Sequence, residues 1–307
     1  MSNILITVAI PVYNNEKTLK KTLDSTINQK TDINYEILIV DDASKDNSSL
    51  IISEYKGNAR VRVVTLDKRV SLIDNHNICL KKSLGEYVVF CHADDLLEPQ
   101  AIETIFFKLK QRNYPKKYVF WGYSMTIDFS INVKRSGNVL DKIFVGQYAS
   151  FPFMYGGVPP TGTCYSRESF LALGGFLSVT TNISPSDMTT MLYLAVNGFR
   201  FEMVSEMIVN KSYSSTWNSS LSQKDILDSI DDAFIEIFNK ISKEILIGML
   251  KDSSLLKEKP LTFYYALSKK TEYKNILKKI ILKELLKNPY LLRNSVFVKI
   301  IRRTFFI

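Results

Sequence analysis

The chain has 307 residues, 46% hydrophobic and 23% charged, the balance of a globular protein with a substantial core. Its net charge of +9 is local: eleven basic residues lie between Lys269 and Arg303 against two acids, Glu272 and Glu284, and the remainder carries 29 of each sign. A neutral body argues against nucleic-acid binding, and no apolar run approaches the roughly 20 residues that cross a bilayer.

The first apolar run, "ILITVAIPVY", is a strand and not a signal peptide, since no basic segment precedes it and no small-residue cleavage site follows. Leu19, Leu23 and Ile27 then recur every four residues, one face of a helix. "YEILIV" is a buried strand that ends in the turn cluster "DDASKDNS", and "VRVVTL" is another strand. "SLIDNHNICLKKSLG" reads as a helix with a Gly stop, "EYVVFCH" as a strand, and "PQAIETIFFKLKQ" as a helix opened by Pro99. This alternation predicts an α/β fold with a mostly parallel, doubly wound sheet flanked by helices, ligands binding at the carboxyl ends of the strands.

The middle changes character. "FPFMYGGVPPTGTCYSRESFLALGGF" has the Gly, Pro and aromatic composition of a shaped loop region around a pocket. "SDMTTMLYLAVNGFRF" reads as a helix with an acid in its first turn, a Gly stop and a strand. After the polar break "NKSYSSTWNSS" the chain reads as helical, which divides it into residues 1–215 and a basic, amphipathic extension, residues 216–307. Lysines and arginines beside bulky apolar residues in that extension suit a helix lying on an anionic membrane surface; packing of the same stripe on the protein's own body is the competing reading. Cys79, Cys91 and Cys164 are far apart, with no CxxC or zinc spacing, which suits reduced thiols in a cytosolic compartment.

Two strands end in paired acids, Asp41–Asp42 and Asp94–Asp95. On a parallel sheet these carboxylates face one crevice, where their repulsion calls for a cation or donor groups. Hard oxygen ligands suit Mg²⁺ or Mn²⁺ bridging to a substrate phosphate. Either pair alone reads equally well as a helix cap or Asx turn.

"VAIPVYNNEKTLKKTLDSTINQKTDINYEILIVDDASKDNS" followed by "HNICLKKSLGEYVVFCHADDLLEP" resembles the large family 2 of glycosyltransferases, the inverting GT-A type, from about Thr7 to the strand near Val209. The resemblance implies a GT-A, Rossmann-like fold with a C-terminal helical extension. It implies that Tyr13 stacks on the nucleotide base, that Asp42 bonds the base or ribose, and that Pro11 shapes the base pocket. It places Asp94 and Asp95 in the acidic motif that meets the diphosphate and its Mn²⁺ or Mg²⁺, Asp95 being the expected direct ligand. It puts the catalytic base at Asp187, ahead of Gly198, with Ser186 where a partner acid is usual. His92 stands where the family often has an Asp and is a further candidate ligand or a structural residue. His76 replaces a frequent Arg and is expected at the helix surface or pocket edge; Tyr213 replaces a frequent His.

The resemblance, together with the basic tail, implies transfer from a nucleotide-diphosphate sugar, a UDP-sugar in preference to a dTDP-sugar, to a saccharide or lipid-linked saccharide, as in bacterial surface-polysaccharide assembly at the inner membrane face. Tyr155, Gly156, Gly157 and Thr161 are expected around the sugar or acceptor. A sugar-phosphate nucleotidylyltransferase would need a Gly-rich loop after the first strand, and "IPVYNNEKTL" has no Gly. A catalytically degenerate, nucleotide-sugar-binding scaffold is the reading from a different class; Ser186, His92 and Tyr213 favour it, and four spaced carboxylates oppose it.

Overall fold

The computed structural model describes residues 5–128, 133–136, 158–180, 186–212, 223–251 and 261–306. The chain divides into two compact units. The first takes Met1–Gly146, Val158–Ser178 and Gly198–Ser219; the second takes Gln147–Gly157, Val179–Asn197 and Ser220–Ile307.

The first unit is built on four parallel strands: β1 (Ile6–Val12), β2 (Tyr35–Asp41), β3 (Val61–Thr65) and β4 (Tyr87–Phe90). They lie in the order β3-β2-β1-β4. β1, β2 and β4 are buried along their whole length, which is why they read as unbroken apolar runs. The helices α1 (Leu19–Ile27), α2 (Ser48–Tyr55) and α3 (Leu72–Lys82) connect them. Ile6, Val8, Ile10 and Val12 of β1 share a core with Leu19 and Leu23 of α1 and with Ile102 and Ile105 of α4 (Ala101–Gln111). The opposite face carries Phe90, whose ring meets Tyr165, Phe176 and His76 edge-on or stacked.

Beyond β4 the sheet becomes mixed. β4 pairs antiparallel with β8 (Thr163–Ser166), which pairs antiparallel with β6 (Tyr118–Asp128). β6 runs parallel to β9 (Arg200–Ser212), with a register shift near Tyr123, and β9 holds the short β5 (Leu96–Leu97) antiparallel. β7 (Val133–Ser136) hangs on β6, and α5 (Arg167–Ala172) follows β8. The segment read from sequence as a loop region therefore contains a strand and a helix among its described residues. Its glycines enable this: Gly162 has φ of +72°, and a Cβ there would lie 2.7 Å from Val209 Cγ1.

The second unit is helical: α6 (Ser186–Val196), α7 (Gln223–Lys240), α8 (Lys243–Lys251), α9 (Leu261–Ser268), α10 (Lys274–Lys287) and α11 (Ser295–Phe305), with 3-10 turns at Thr271–Tyr273 and Pro289–Arg293. Leu277 and Ile281 of α10 and Phe297 and Ile300 of α11 are buried. Leu282, Leu286, Tyr290, Leu292, Val298 and Phe306 are exposed beside the basic residues. Among the described residues no helix is long and apolar enough to cross a membrane. All three cysteines are buried and free.

Candidate functional site

The site lies where β1 and β4 part. Their pairing ends at Ala9–Phe90, whereas β1 stays beside β2 to Val12–Asp41. Cys91 N–H still donates to Ala9 O at 3.0 Å, and Asp42 N–H to Val12 O at 2.9 Å. Residues 9 and 11 thus face β4 while residue 12 faces β2. Pro11, which has no N–H, sits where β4 has already diverged and no ladder bond is lost. A crevice at such a switch point is the usual ligand position in an open α/β sheet.

The turns after β1 and β2 are laced together. Asn14 and Ala43 adopt left-handed φ values of 53° and 52°. Asn14 N–H donates to Ser44 Oγ at 3.0 Å, Lys45 N–H to Asn14 Oδ1 at 2.7 Å, and Asn15 N–H to Ser48 Oγ at 2.9 Å. Asp41 is structural: it accepts from Ser44 N–H at 3.2 Å and Ser49 Oγ at 2.9 Å. Asp42, buried, accepts from Val70 N–H at 2.7 Å. Burial raises its carboxyl above the ordinary value, against the opposing pull of that N–H and of Arg69.

Half-buried Tyr13 leads out of β1, and the Arg69 guanidinium lies over its ring, 4.1 Å from the centroid. Arg69 escaped the sequence reading. It stands beyond β3 with nothing distinctive beside it, and only the β2–β3 pairing, which ends at Asp41–Thr65, brings it there.

The loop after β4 is pinned on both sides. Thr161, buried, accepts from His92 N–H at 3.2 Å, and Thr18 Oγ1 donates to Ala93 O at 2.9 Å. Asp95 N–H closes a turn on His92 O at 3.0 Å. This gathers His92, Asp94 and Asp95, whose ligand atoms lie within 4.8 Å of one another. Asp95 is buried, His92 and Asp94 half-buried. Two carboxylates and one imidazole form a mixed oxygen and nitrogen donor set that fits a divalent cation of the Mn²⁺ type.

His76 is buried and not at a helix surface. Its Nδ1 is 2.7 Å from Leu72 O and its Nε2 is 3.0 Å from His92 Nε2. Burial, with His92 adding to it, lowers its pKa to about 3, so the ring is neutral at ordinary pH.

Residues 7–127, which carry all of these side chains except Thr161, match the family described as Glycosyl transferase family 2. Residues 7–127, less than half of the chain, are thus similar to family 2 of the glycosyltransferases. It is similar to poly(ribitol-phosphate) beta-N-acetylglucosaminyltransferase TarP of Staphylococcus aureus, 34% identical over 111 residues, 35% of this chain and 34% of that protein. It is also similar to UDP-Glc:alpha-D-GlcNAc-diphosphoundecaprenol beta-1,3-glucosyltransferase WfgD of Escherichia coli, 29% identical over 96 residues, 31% of this chain and 37% of that protein. The matches thus span about a third of the length of these curated relatives. The structure of residues 1-349 of S. aureus TarS in complex with UDP-GlcNAc superposes with a TM-score of 0.66 at 16% identity, covering 98% of this chain and 90% of that one. That likeness identifies the fold as GT-A.

The remaining expected site residues fall outside the matched segment. Asp187 is in the first turn of α6, half-buried, and belongs to the second unit. Tyr155, Gly156, Gly157 and Tyr213 lie outside the described residues.

Proposed function

We propose that the protein is an inverting, metal-dependent glycosyltransferase. It would move a sugar from a nucleotide-diphosphate sugar, a UDP-sugar in preference to a dTDP-sugar, to a hydroxyl of a saccharide acceptor. The observation that carries this reading is the convergence of Tyr13, Asp42 and the His92–Asp95 loop at the crevice where β1 and β4 diverge, inside the segment that matches the family. Tyr13 offers a flat face for the base, with Arg69 on the ring. Asp42 offers a fixed acceptor for a base N–H or a ribose hydroxyl, and Pro11 closes the pocket wall.

Asp94 and Asp95, with His92, are the proposed metal ligands, Mn²⁺ or Mg²⁺. A divalent cation held there supplies charge neutralisation for the departing diphosphate. Asp187 is the proposed base, taking the proton from the acceptor hydroxyl as it attacks the anomeric carbon. Tyr155, Gly156, Gly157 and Thr161 are proposed near the transferred sugar or the acceptor.

The acceptor is proposed to be lipid-linked, in O-antigen or capsule-type polysaccharide synthesis at the cytoplasmic face of the cell membrane. WfgD, whose name specifies a diphosphoundecaprenol acceptor, supports this, as do the exposed Leu286, Tyr290 and Phe306 beside the basic residues of α10 and α11. Basic residues near an anionic leaflet contribute about 1 kcal/mol each.

The test is nucleotide release from UDP-, GDP- and dTDP-sugars with Mn²⁺ or with EDTA, a lipid-linked saccharide being supplied. The expected result is turnover of one donor, abolished by EDTA and in Asp95→Asn. Tight UDP binding without turnover on any donor would refute the enzyme and leave the scaffold reading.

A further inference from the structure

The paired imidazoles define which nitrogen of His92 is bare. The Leu72 carbonyl only accepts, so His76 Nδ1, 2.7 Å away, carries the ring proton. In a neutral ring His76 Nε2 is then an acceptor. It lies 3.0 Å from His92 Nε2, which must therefore be the donor. That leaves the lone pair of His92 on Nδ1, the nitrogen that faces Asp95 Oδ2 at 3.9 Å, beyond hydrogen-bond range. Turning the His76 ring over would present C–H groups to both partners and lose both bonds.

The packing holds that orientation. The His76 ring stacks on Phe90 with centroids 5.3 Å apart and meets Phe176 edge-on at 5.3 Å. Asn77 clamps Phe176 through its main chain, accepting from Phe176 N–H at 2.8 Å and donating to Phe176 O at 2.9 Å. Gly175, at φ +78°, leaves room for the clamp: a Cβ there would lie 2.2 Å from Asn77 Oδ1.

We propose that His76 is a positioning residue that fixes His92 with Nδ1 bare toward Asp95, so that His92 is a direct nitrogen ligand and the centre binds Mn²⁺-type cations in preference to Mg²⁺. Imidazole favours the later divalent metals, whereas carboxylate and water alone suit Mg²⁺. A ligating histidine is ordinarily oriented through its other ring nitrogen; here the partner on that side is a second histidine. This inference rests on the proposed metal-dependent reading.

The experiment uses the full chain with Mn²⁺ and UDP, read by pulsed EPR for imidazole ¹⁴N coupling and by titration for metal affinity. The wild type should show ¹⁴N coupling. His92→Asp should keep Mn²⁺, lose the coupling and narrow the preference over Mg²⁺. His76→Phe, which keeps an aromatic ring against Phe90, should stay folded by circular dichroism, weaken the coupling and lower Mn²⁺ affinity by about 10–100-fold. Mn²⁺ bound by the wild type without ¹⁴N coupling overturns the inference while leaving the metal-dependent enzyme standing. No Mn²⁺ binding at all overturns both. Unchanged affinity and coupling in His76→Phe removes the positioning role.

Discussion

Glu36 should hold together the end of the sheet opposite the site. It is buried in β2, and its carboxylate accepts from Thr7 Oγ1 at 2.6 Å, Leu84 N–H at 2.9 Å and Arg62 Nε at 2.6 Å. Thr7 Oγ1 in turn accepts from Gly85 N–H at 2.9 Å, and Arg62 also donates to Lys82 O. One side chain thereby joins β1, β2 and β3 to the chain entering β4. Glu36→Ala removes three bonds to a charged acceptor and leaves a buried hydroxyl and a main-chain donor without that partner. Hydrogen bonds to charged groups contribute about 1.5–3 kcal/mol each. The Arg62 side chain is 36% exposed and regains water, so its share is nearer 0–1 kcal/mol. The loss should total about 3–5 kcal/mol, and Glu36→Gln, which keeps shape and one acceptor, should lose about 1–2 kcal/mol. Urea unfolding followed by tryptophan fluorescence reads this as a midpoint lowered by roughly 1–2 M for alanine. UDP affinity without denaturant should not change, because the crevice lies at the other end of the strands. An alanine variant within about 0.3 M of the wild type, or one losing UDP affinity in parallel, would refute the reasoning.

Asp42→Asn should stabilise the protein at pH 7 while weakening UDP binding. Its raised carboxyl means that the contribution to stability is full below the reference value of 3.8 and is lost as pH rises through the folded-state value, so the amide's advantage in thermal unfolding should vanish near pH 3. Ala43→Gly relieves a left-handed φ and should raise stability by up to about 1 kcal/mol, whereas Ala43→Val should lower it. Gly85→Ala would set a Cβ 2.6 Å from Thr7 N and should cost about 1–3 kcal/mol in chemical denaturation. Leu286→Asp, at a side chain 87% exposed, should weaken sedimentation with anionic liposomes and leave donor hydrolysis intact; unchanged sedimentation would sink the membrane proposal.

The parallel half of the sheet was legible because β1, β2 and β4 are buried along their whole length. "YEILIV" maps onto β2 and "VRVVTL" onto β3, and the four-residue spacing of Leu19, Leu23 and Ile27 maps onto α1. The mixed half was not. β8 is four residues long and sits among Gly and Pro, and its pairing with β4 and β6 depends on partners some 40 to 80 residues away. α2 was hidden behind the polar turn "DDASKDNS", whose Ser48 serves the Asn15 main chain as well as the helix. At the site, the carboxylates were visible because residue type and strand end coincide. Arg69 on Tyr13 and His76 on His92 were not, since each pair joins separate elements through a turn or helix phase that no local pattern encodes.

The buried cysteines have a practical consequence. Cys79, Cys91 and Cys164 are enclosed, and burial pushes all three thiols up, so almost no thiolate is exposed to an electrophile at neutral pH. The folded protein is thus a silent background for maleimide chemistry. A cysteine introduced at Leu286 would be the single fast-reacting position on the native chain. An environment-sensitive dye attached there would report contact with a bilayer without the native thiols first being replaced.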